Sequence, residues 1–485
     1  MTSLPQYLDK PVFSTVGRVA DDMGREAYVV GGYVRDMMLG RPSKDIDFVT
    51  VGSGIDLAKA VGKALGRGTH VNVFRSYGTA QVKRRDLELE FVGARRESYH
   101  RDSRNPIVED GTLADDIARR DFTINAMALC VNAGRFGELI DNYGGVADLQ
   151  AGIIRTPLDP DITFSDDPLR MMRAVRFATQ LQFQLHPETF KALQRNAERL
   201  NIIVKERIQV ELMKIMASPR PSIGWTLLHE TGLLKLILPE LEAMKGVQVM
   251  HGRGHKDNFY HTLEVLDNVA AATDNVWTRW AALLHDIAKP LTKRWDDQLG
   301  WTFHNHNFVG AKMVPKIFNR LGLPMGQEMR TVQKLVELHM RPIALVEDEV
   351  TDSAVRRLIN YAEESLEQLM ILARADITSK NQEKKQRFLD NFDLVERKFA
   401  TINALDADRA FRPALNGNHI MALLHLPQGQ EVGYYMQNLT RVSKDCEIGP
   451  TRRDALDYVT ALAAGRGLTP DPDVLATLLA DEPAE

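Results

Sequence analysis

Asp45 and Asp47 stand one residue apart in the run DIDFVTV, which reads as a β-strand. Alternate strand side chains share a face, so the two carboxylates would be presented side by side. Hard oxygen donors placed that way suit Mg2+, which is commonly held by one or two carboxylates plus the phosphates of a substrate. Upstream, an apolar run breaks into Gly31 and Gly32, with Arg35 following. Paired glycines let the backbone turn tightly and approach a ligand, a helix start beyond them offers N–H groups to a phosphate, and the guanidinium adds a charged donor. Singly, each pattern has a plainer meaning: a glycine pair is more often a turn, and two spaced aspartates a solvated strand end. Their combination is what points to phosphate chemistry.

A second set lies in the other half of the chain. His261 alone on an apolar helix would be an ordinary core residue, but His285 and Asp286 are adjacent and follow the apolar run WAALL. An unpaired polar pair there would be costly, so a metal or a hydrogen-bond network must satisfy it. Imidazole and carboxylate donors together suit Mn, Fe, Ni or Co as well as Mg.

The elements that must position these residues change along the chain. Up to about residue 155, AYVVGG reads as a strand into a turn, DIDFVTV as a second strand, TAQVKRRDLELEFVGARR as a hairpin-like pair and RRDFTINAMAL as a helix start. From residue 166 onward apolar residues recur at helical spacing and strands fade. The fold class expected is an α+β head with a small mixed sheet over residues 1–155, then an all-α remainder: a neck over 156–245, a further domain over 246–395 and a C-terminal helical region over 396–485. A chain of 485 residues is long enough for several cores at roughly 100–200 residues each. Its two cysteines, Cys130 and Cys446, have neither disulfide-framework nor zinc spacing, which fits a reducing cytoplasm. No basic leader precedes an apolar core, and no apolar run approaches the ~18 residues of a membrane span, so neither secretion nor a membrane partner is expected. A formal charge of -4 argues against indiscriminate polyanion binding while leaving room for local basic stripes.

Strand, paired glycines, VRD, a short spacer and DID in a second strand resemble the signature of the class II tRNA nucleotidyltransferase and bacterial poly(A) polymerase family, within the polymerase-β-like superfamily. The resemblance continues through RRDFTINAMA, where it implies that Arg120 and Asp121 face the nucleotide with Asn125 one turn on. FSDDPLRMMRAVRFA resembles the motif that reads the incoming base. There, i,i+3 spacing on a helix would put Asp167 and Arg170 on one face, able to offer an acceptor and donors to a base edge. Arg173 and Arg176 continue the stripe and would hold phosphates; an isolated stripe of this kind is usually a solvated helix face. The resemblance also implies a third catalytic carboxylate, for which Glu90 is the candidate, although Glu88 has the same parity. Residues 99–110 resemble the loop needed for adding a terminal A, and KERIQVELMK resembles the last motif of the head and neck, with Glu206 and Arg207 as structural salt-bridge formers.

His261, the His285–Asp286 pair and Asp376 match the layout of HD-family metal-dependent phosphohydrolases, and His306 and His339 fall where many members carry further histidines. Together these resemblances imply a template-independent enzyme that builds or repairs the tRNA 3′ end from CTP and ATP with Mg2+, carrying a second, metal-dependent phosphoester hydrolase. DNA is not an expected partner. Poly(A) synthesis, or addition of only A or only CC, would use the same head motifs; a degenerate head serving the hydrolase as an RNA-binding module is opposed by intact Asp45 and Asp47. Residues 396–485 would be a stabilising cap or a helical hairpin packing on RNA.

Overall fold

In a computed structural model the chain is described over residues 3–43, 45–98, 107–254, 256–347, 352–378, 381–410, 413–444, 447–449 and 451–480. It packs as two units, residues 1–350 with 357–392, and residues 351–356 with 393–485.

The first unit begins with a sheet. Its strands are β1 (Ala27–Val30), β2 (Asp45–Thr50), β3 (His70–Phe74), β4 (Thr79–Arg84) and β5 (Leu87–Gly93). A separate antiparallel pair follows, β6 (Arg95–Ser98) and β7 (Ile107–Asp110), and then β8 (Ala128–Cys130) and β9 (Leu139–Ile140) rejoin the main sheet. The order β3-β4-β5-β2-β1-β8-β9 is mixed, with β2 and β5 parallel and their sheet neighbours antiparallel. Period-two alternation divides the two faces. Ile46, Phe48, Leu89 and Phe91 point to one side and are buried, with Phe48 and Phe91 stacked at 4.9 Å and Phe13 of the Pro11–Asp22 helix 6.1 Å from Phe48. Truncating either stacked ring would cost ~3–5 kcal/mol. The opposite face carries the acidic positions of β2 and β5.

RRDFTINAMAL does not start a helix. It forms a 3-10 turn, Thr123–Asn125, and then β8, because Ala126–Val131 is a short run buried on all sides that pairs with β1, and periodicity cannot tell such a strand from a buried helix.

From residue 153 onward helices dominate, and the described residues also include short strand pairs that the helical reading missed: Ile153–Ile154 with Gln184–Leu185, Val249–Met250 with Arg253–Gly254, and Arg294–Asp296 with Gly300–Thr302. The Leu169–Leu181 helix buries Met171, Met172, Val175 and Ala178 and packs beside the Lys205–Met216 helix. Arg279 ties the neck to the helices that follow. Almost fully buried, it donates to the carbonyls of Met216 and Ser218 at 2.8 and 3.0 Å and to those of Ala270 and Thr273 at 3.2 and 2.9 Å.

In the second unit the helices Gly417–Leu424, Gln430–Lys444, Arg452–Ala464 and Pro472–Ala480 close over a core that includes Ile420, Tyr435, Leu439, Leu456 and Leu478. Among the described residues no helix is long and apolar enough to cross a membrane.

Candidate active sites

The parallel register of β2 and β5 sets Asp45 opposite Glu88 and Asp47 opposite Glu90, so all four carboxylates share one face. Here the structure separates two residues that sequence parity could not. Glu88 is engaged by Gln81 and by Lys83 at 3.2 Å, whereas Glu90 acts on Asp47. Burial, then the charge of Glu90, pushes the Asp47 carboxyl up to about 6, with Asp45 adding and Arg120 opposing. Carboxylates that repel in this way match the donor chemistry of a divalent cation.

The two glycines are not equivalent. Gly31 has φ 73° and a Cβ there would meet Arg120 Nη1 at 2.9 Å; at Gly32 it would meet only Arg35 Nη2 at 3.6 Å. Gly31 therefore admits a guanidinium to the turn. Arg120 is held in place by Asp116, 3.0 Å from its Nη2, and Asp116 also pairs with Arg119 while fully buried. Asp116 was missed by sequence reasoning; its signal was the i,i+3 and i,i+4 spacing to the paired arginines.

Arg35, Asn125, Asp121 and Arg173 form one chain of contacts. Arg35 Nη1 donates to Asn125 Oδ1 at 2.8 Å, Asn125 Nδ2 donates to Asp121 Oδ1 at 3.0 Å, and Arg173 reaches Asp121 Oδ2 through Nε at 2.7 Å and Nη2 at 2.6 Å. Burial alone would raise the Asp121 carboxyl, but the charge of Arg173, with hydrogen bonds from Asn125 and Arg173, outweighs it and holds the group at about 2. In this structure Asp121 spends its acceptors on Arg173, Asn125 and the Phe122 N–H, and so aims an arginine.

Asp167 is not inside the Leu169–Leu181 helix. It precedes it, accepting the Leu169 N–H at 3.1 Å, because Pro168 opens the helix. Asp167 still lines the same cleft as Arg170, whose Nη2 donates to the Arg119 carbonyl at 2.8 Å. Arg207 lies 3.8 Å from Asp167. Glu206, expected as a salt-bridge former, is exposed; Glu211 one turn later takes that part, 2.6 Å from Arg176. A further residue escaped notice, Phe177, whose ring centroid lies 4.9, 5.4 and 4.0 Å from the guanidinium carbons of Arg35, Arg173 and Arg176.

These groups enclose a cleft of about 390 Å³ lined by seven arginines and three aspartates, including Asp47, which leaves four positive charges in excess. A pocket so built attracts a polyanion and can present both guanidinium and carboxylate to a base edge. Residues 99–106 of the expected loop lie outside the described residues; 107–110 form β7.

The second set also converges. Asp257 caps the Asn258–Ala272 helix with His261 in its first turn, while His285, His306, His339 and Asp376 all sit at helix ends. Among the described residues, two groups have ligand atoms within 4.8 Å of one another, His261 with His285 and Asp286, and Asp286 with His306 and His339. The head carboxylates are not drawn together so closely. Asp376 Oδ1 lies 2.9 Å from His261 Nε2 and 3.7 Å from His285 Nε2. His285, His306 and His339 each place Nδ1 2.7–2.8 Å from a carbonyl three residues back, which directs Nε2 inward. Buried His285 Nε2 has no well-aligned hydrogen-bond partner and lies 3.2 Å from Asp286 Oδ2, the condition a metal ion between them satisfies. Lys289 Nζ lies 2.6 Å from Asp286 Oδ2.

Three family models match in series: the poly A polymerase head domain over residues 27–155, the probable RNA- and SrmB-binding site of polymerase A over 182–245, and the HD domain over 258–381. An A-adding tRNA nucleotidyltransferase of Deinococcus radiodurans is 32% identical over 442 residues, covering 89% of this chain and 94% of the relative. A multifunctional CCA protein of Neisseria meningitidis is 36% identical over 307 residues, 62% of this chain and 69% of that one. Among solved structures, a tRNA nucleotidyltransferase complexed with a primer tRNA and an incoming ATP analogue matches with a TM-score of 0.58 and 26% identity over 80% of this chain and 99% of the other. Both component families depend on divalent metals. With head, RNA-binding segment and HD domain in order and relatives matched along most of their length, the chain is a nucleotidyltransferase of the class II tRNA nucleotidyltransferase and poly(A) polymerase family.

Proposed function

We propose that the head adds C and A residues to the 3′ end of tRNA, taking CTP and ATP in the arginine-rich cleft. The observation that carries this is the meeting, in one cleft, of Asp47 with Asp167 and Arg170 beside a surplus of guanidiniums. Asp45, Asp47 and Glu90 would hold Mg2+, which when bound acidifies the RNA 3′-hydroxyl and stabilises the leaving pyrophosphate. Arg35, Arg120, Arg173 and Arg176 orient the triphosphate, with Asn125 and Asp121 fixing two of those arginines and Gly31 leaving room for a third. Asp167 and Arg170 read the base, so one site serves both nucleotides. Addition of A alone is the second reading, favoured by the name of the Deinococcus radiodurans relative that matches 89% of this chain. Transcripts ending at the discriminator base, at C or at CC, each offered one labelled nucleoside triphosphate, separate the two: CCA addition labels the first two with CTP, whereas an A-adding enzyme labels only the third, with ATP. Labelling of none of them removes the tRNA assignment.

The HD centre is proposed to hydrolyse phosphoesters on RNA ends, including 2′,3′-cyclic phosphates. His261, His285, Asp286 and Asp376, with His306 and His339, would hold a divalent metal whose bound water supplies the nucleophile. His285→Ala combined with Asp286→Ala should abolish hydrolysis and spare nucleotide addition, and Asp45→Ala should do the reverse. Hydrolysis that survives the double substitution reduces the cluster to a structural metal site.

A further inference from the structure

Residues 289–304 lead outward from the histidine centre and carry aromatic rings interleaved with cations. Lys289, beside Asp286, also lies 5.6 Å from the ring centroid of Phe303, whose carbonyl is 2.8 Å from His306 Nδ1. Phe303 directly follows the hairpin Arg294–Asp296 and Gly300–Thr302. In that hairpin Trp295 and Trp301 are register partners, both partly exposed, with centroids 5.3 Å apart and rings at 76°. Lys293 Nζ stands 4.3 Å from the Trp301 centroid. Farther out, exposed His251 brings its ring to 5.6 Å from Trp295.

A tryptophan pair can simply stabilise a short hairpin. Three features ask for more here. The row of rings is continuous with the candidate metal cluster, lysines recur along it, and the exposed acids at the tip are engaged by the hairpin's own N–H groups: Asp296 accepts the Gln298 and Leu299 N–H groups at 2.8 Å, and Asp297 accepts Trp295 Nε1–H at 3.0 Å. Rings for bases and ammonium groups for phosphates, in sequence, are the physical requirements for holding a single strand without reading its sequence.

We propose that this ribbon is the platform for the single-stranded 3′ segment of an RNA whose terminal phosphate sits at the HD centre. Bases stack on His251 and Trp295, and phosphates pass Lys293 and Lys289. The proposal rests on the phosphoester-hydrolase reading of that centre and adds to it that the substrate is an oligonucleotide held by several nucleotides, rather than a mononucleotide.

The test uses the full-length, metal-loaded protein and two substrates with the same reacting group, 2′,3′-cyclic AMP and a five-nucleotide RNA ending in a 2′,3′-cyclic phosphate. Trp295→Ala should raise KM for the pentamer about tenfold or more while leaving the mononucleotide unchanged; Trp295→Phe should retain most of the affinity, and Lys293→Ala should weaken pentamer binding and its salt dependence. Unchanged nucleotide addition by each variant establishes that it is folded. In a parallel arm, a fluorescein-labelled pentamer ending in a plain 3′-phosphate is bound in EDTA and followed by anisotropy. Binding that depends on Trp295, with neither substrate hydrolysed by the wild type, overturns the hydrolase reading and keeps the platform. Equal kinetic effects on both substrates, or pentamer binding indifferent to Trp295→Ala and Lys293→Ala, overturns the platform.

Discussion

Gly31→Ala and Gly32→Ala look like the same change in sequence and should have opposite consequences. At Gly31 the backbone stands at φ 73° and ψ -134°, where a side chain carries strain of ~1–3 kcal/mol. Its Cβ would also press to 2.9 Å on Arg120 Nη1, and Arg120 has limited room to retreat because Asp116 holds it at 3.0 Å. Gly32 has no positive φ, begins the Gly32–Met38 helix and has only Arg35 Nη2 at ordinary contact distance, so alanine there should gain about 0.5–1 kcal/mol through reduced freedom of the unfolded chain. No tryptophan lies in residues 1–155, and a chain with several domains melts in more than one step, so the readout must be local. Hydrogen exchange of the Ala27–Val30 amides serves: a loss of ~2 kcal/mol accelerates exchange through opening of the head by about 30-fold. Gly31→Ala should show that acceleration and a raised KM for nucleoside triphosphate; Gly32→Ala should show slower exchange. Equal exchange rates in the two variants would refute the asymmetry drawn from the backbone.

Asp167→Ala or Arg170→Ala should raise misincorporation among CTP, ATP and UTP more than it weakens triphosphate binding, since a site made of hydrogen bonds loses selectivity when its partners vanish; unchanged fidelity with lower affinity would remove their base-reading role. Asp121 is held at about 2 against an ordinary 3.8, so its ionised form contributes ~2 kcal/mol at neutral pH. That contribution is complete above about pH 4 and is lost as pH falls through about 2. Asp121→Asn should therefore lower the stability of the head at pH 7, and its deficit should shrink below pH 4, as hydrogen exchange of the Ala27–Val30 amides compared between variant and wild type at each pH would show. Arg279→Met should deprive the carbonyls of Met216 and Ser218 of their donor and expose the joint between neck and HD domain to proteolysis at least tenfold faster, while each chemistry continues in the intact protein.

The head was legible because its chemistry is written in short strands and turns. DIDFVTV reads as a strand and so puts Asp45 and Asp47 on one face, although the strand is buried without a break from Phe48 to Thr50, and the wider motif order pointed to the fold. What escaped depends on pairings across the sheet or between helices. Glu88 and Glu90 have the same parity, and only the register with β2 and the partners on β4 distinguish them. Asp121 reads as a ligand-facing acid until Arg173, 52 residues away, is seen to occupy it. The same holds for Glu211 in place of Glu206. In the HD region the helices could be read from their period, and the convergence of six residues on their ends came from the family layout rather than from spacing. The two- and three-residue strands around 249–254 and 294–302 were too short to leave a periodic signal.

The crowding of Arg35, Arg173 and Arg176 around Phe177 has a consequence for how such a sequence evolves. Burial and the charges of Arg173 and Arg35 all work against the protonated state of Arg176, with Glu211 and Asp121 opposing them. The cleft is therefore assembled against the mutual repulsion of its arginines, and folding stability and substrate affinity pull on the same residues in opposite directions. Selection for heat resistance alone would relieve the crowding only by removing a guanidinium together with the carboxylate it serves, Arg173 with Asp121 or Arg176 with Glu211, and would leave an inactive protein. Selection that retains catalysis must place its compensations elsewhere, in the aromatic stack under β2 and β5 or in the neck, and any polyanion able to enter the cleft acts as a stabiliser of the fold.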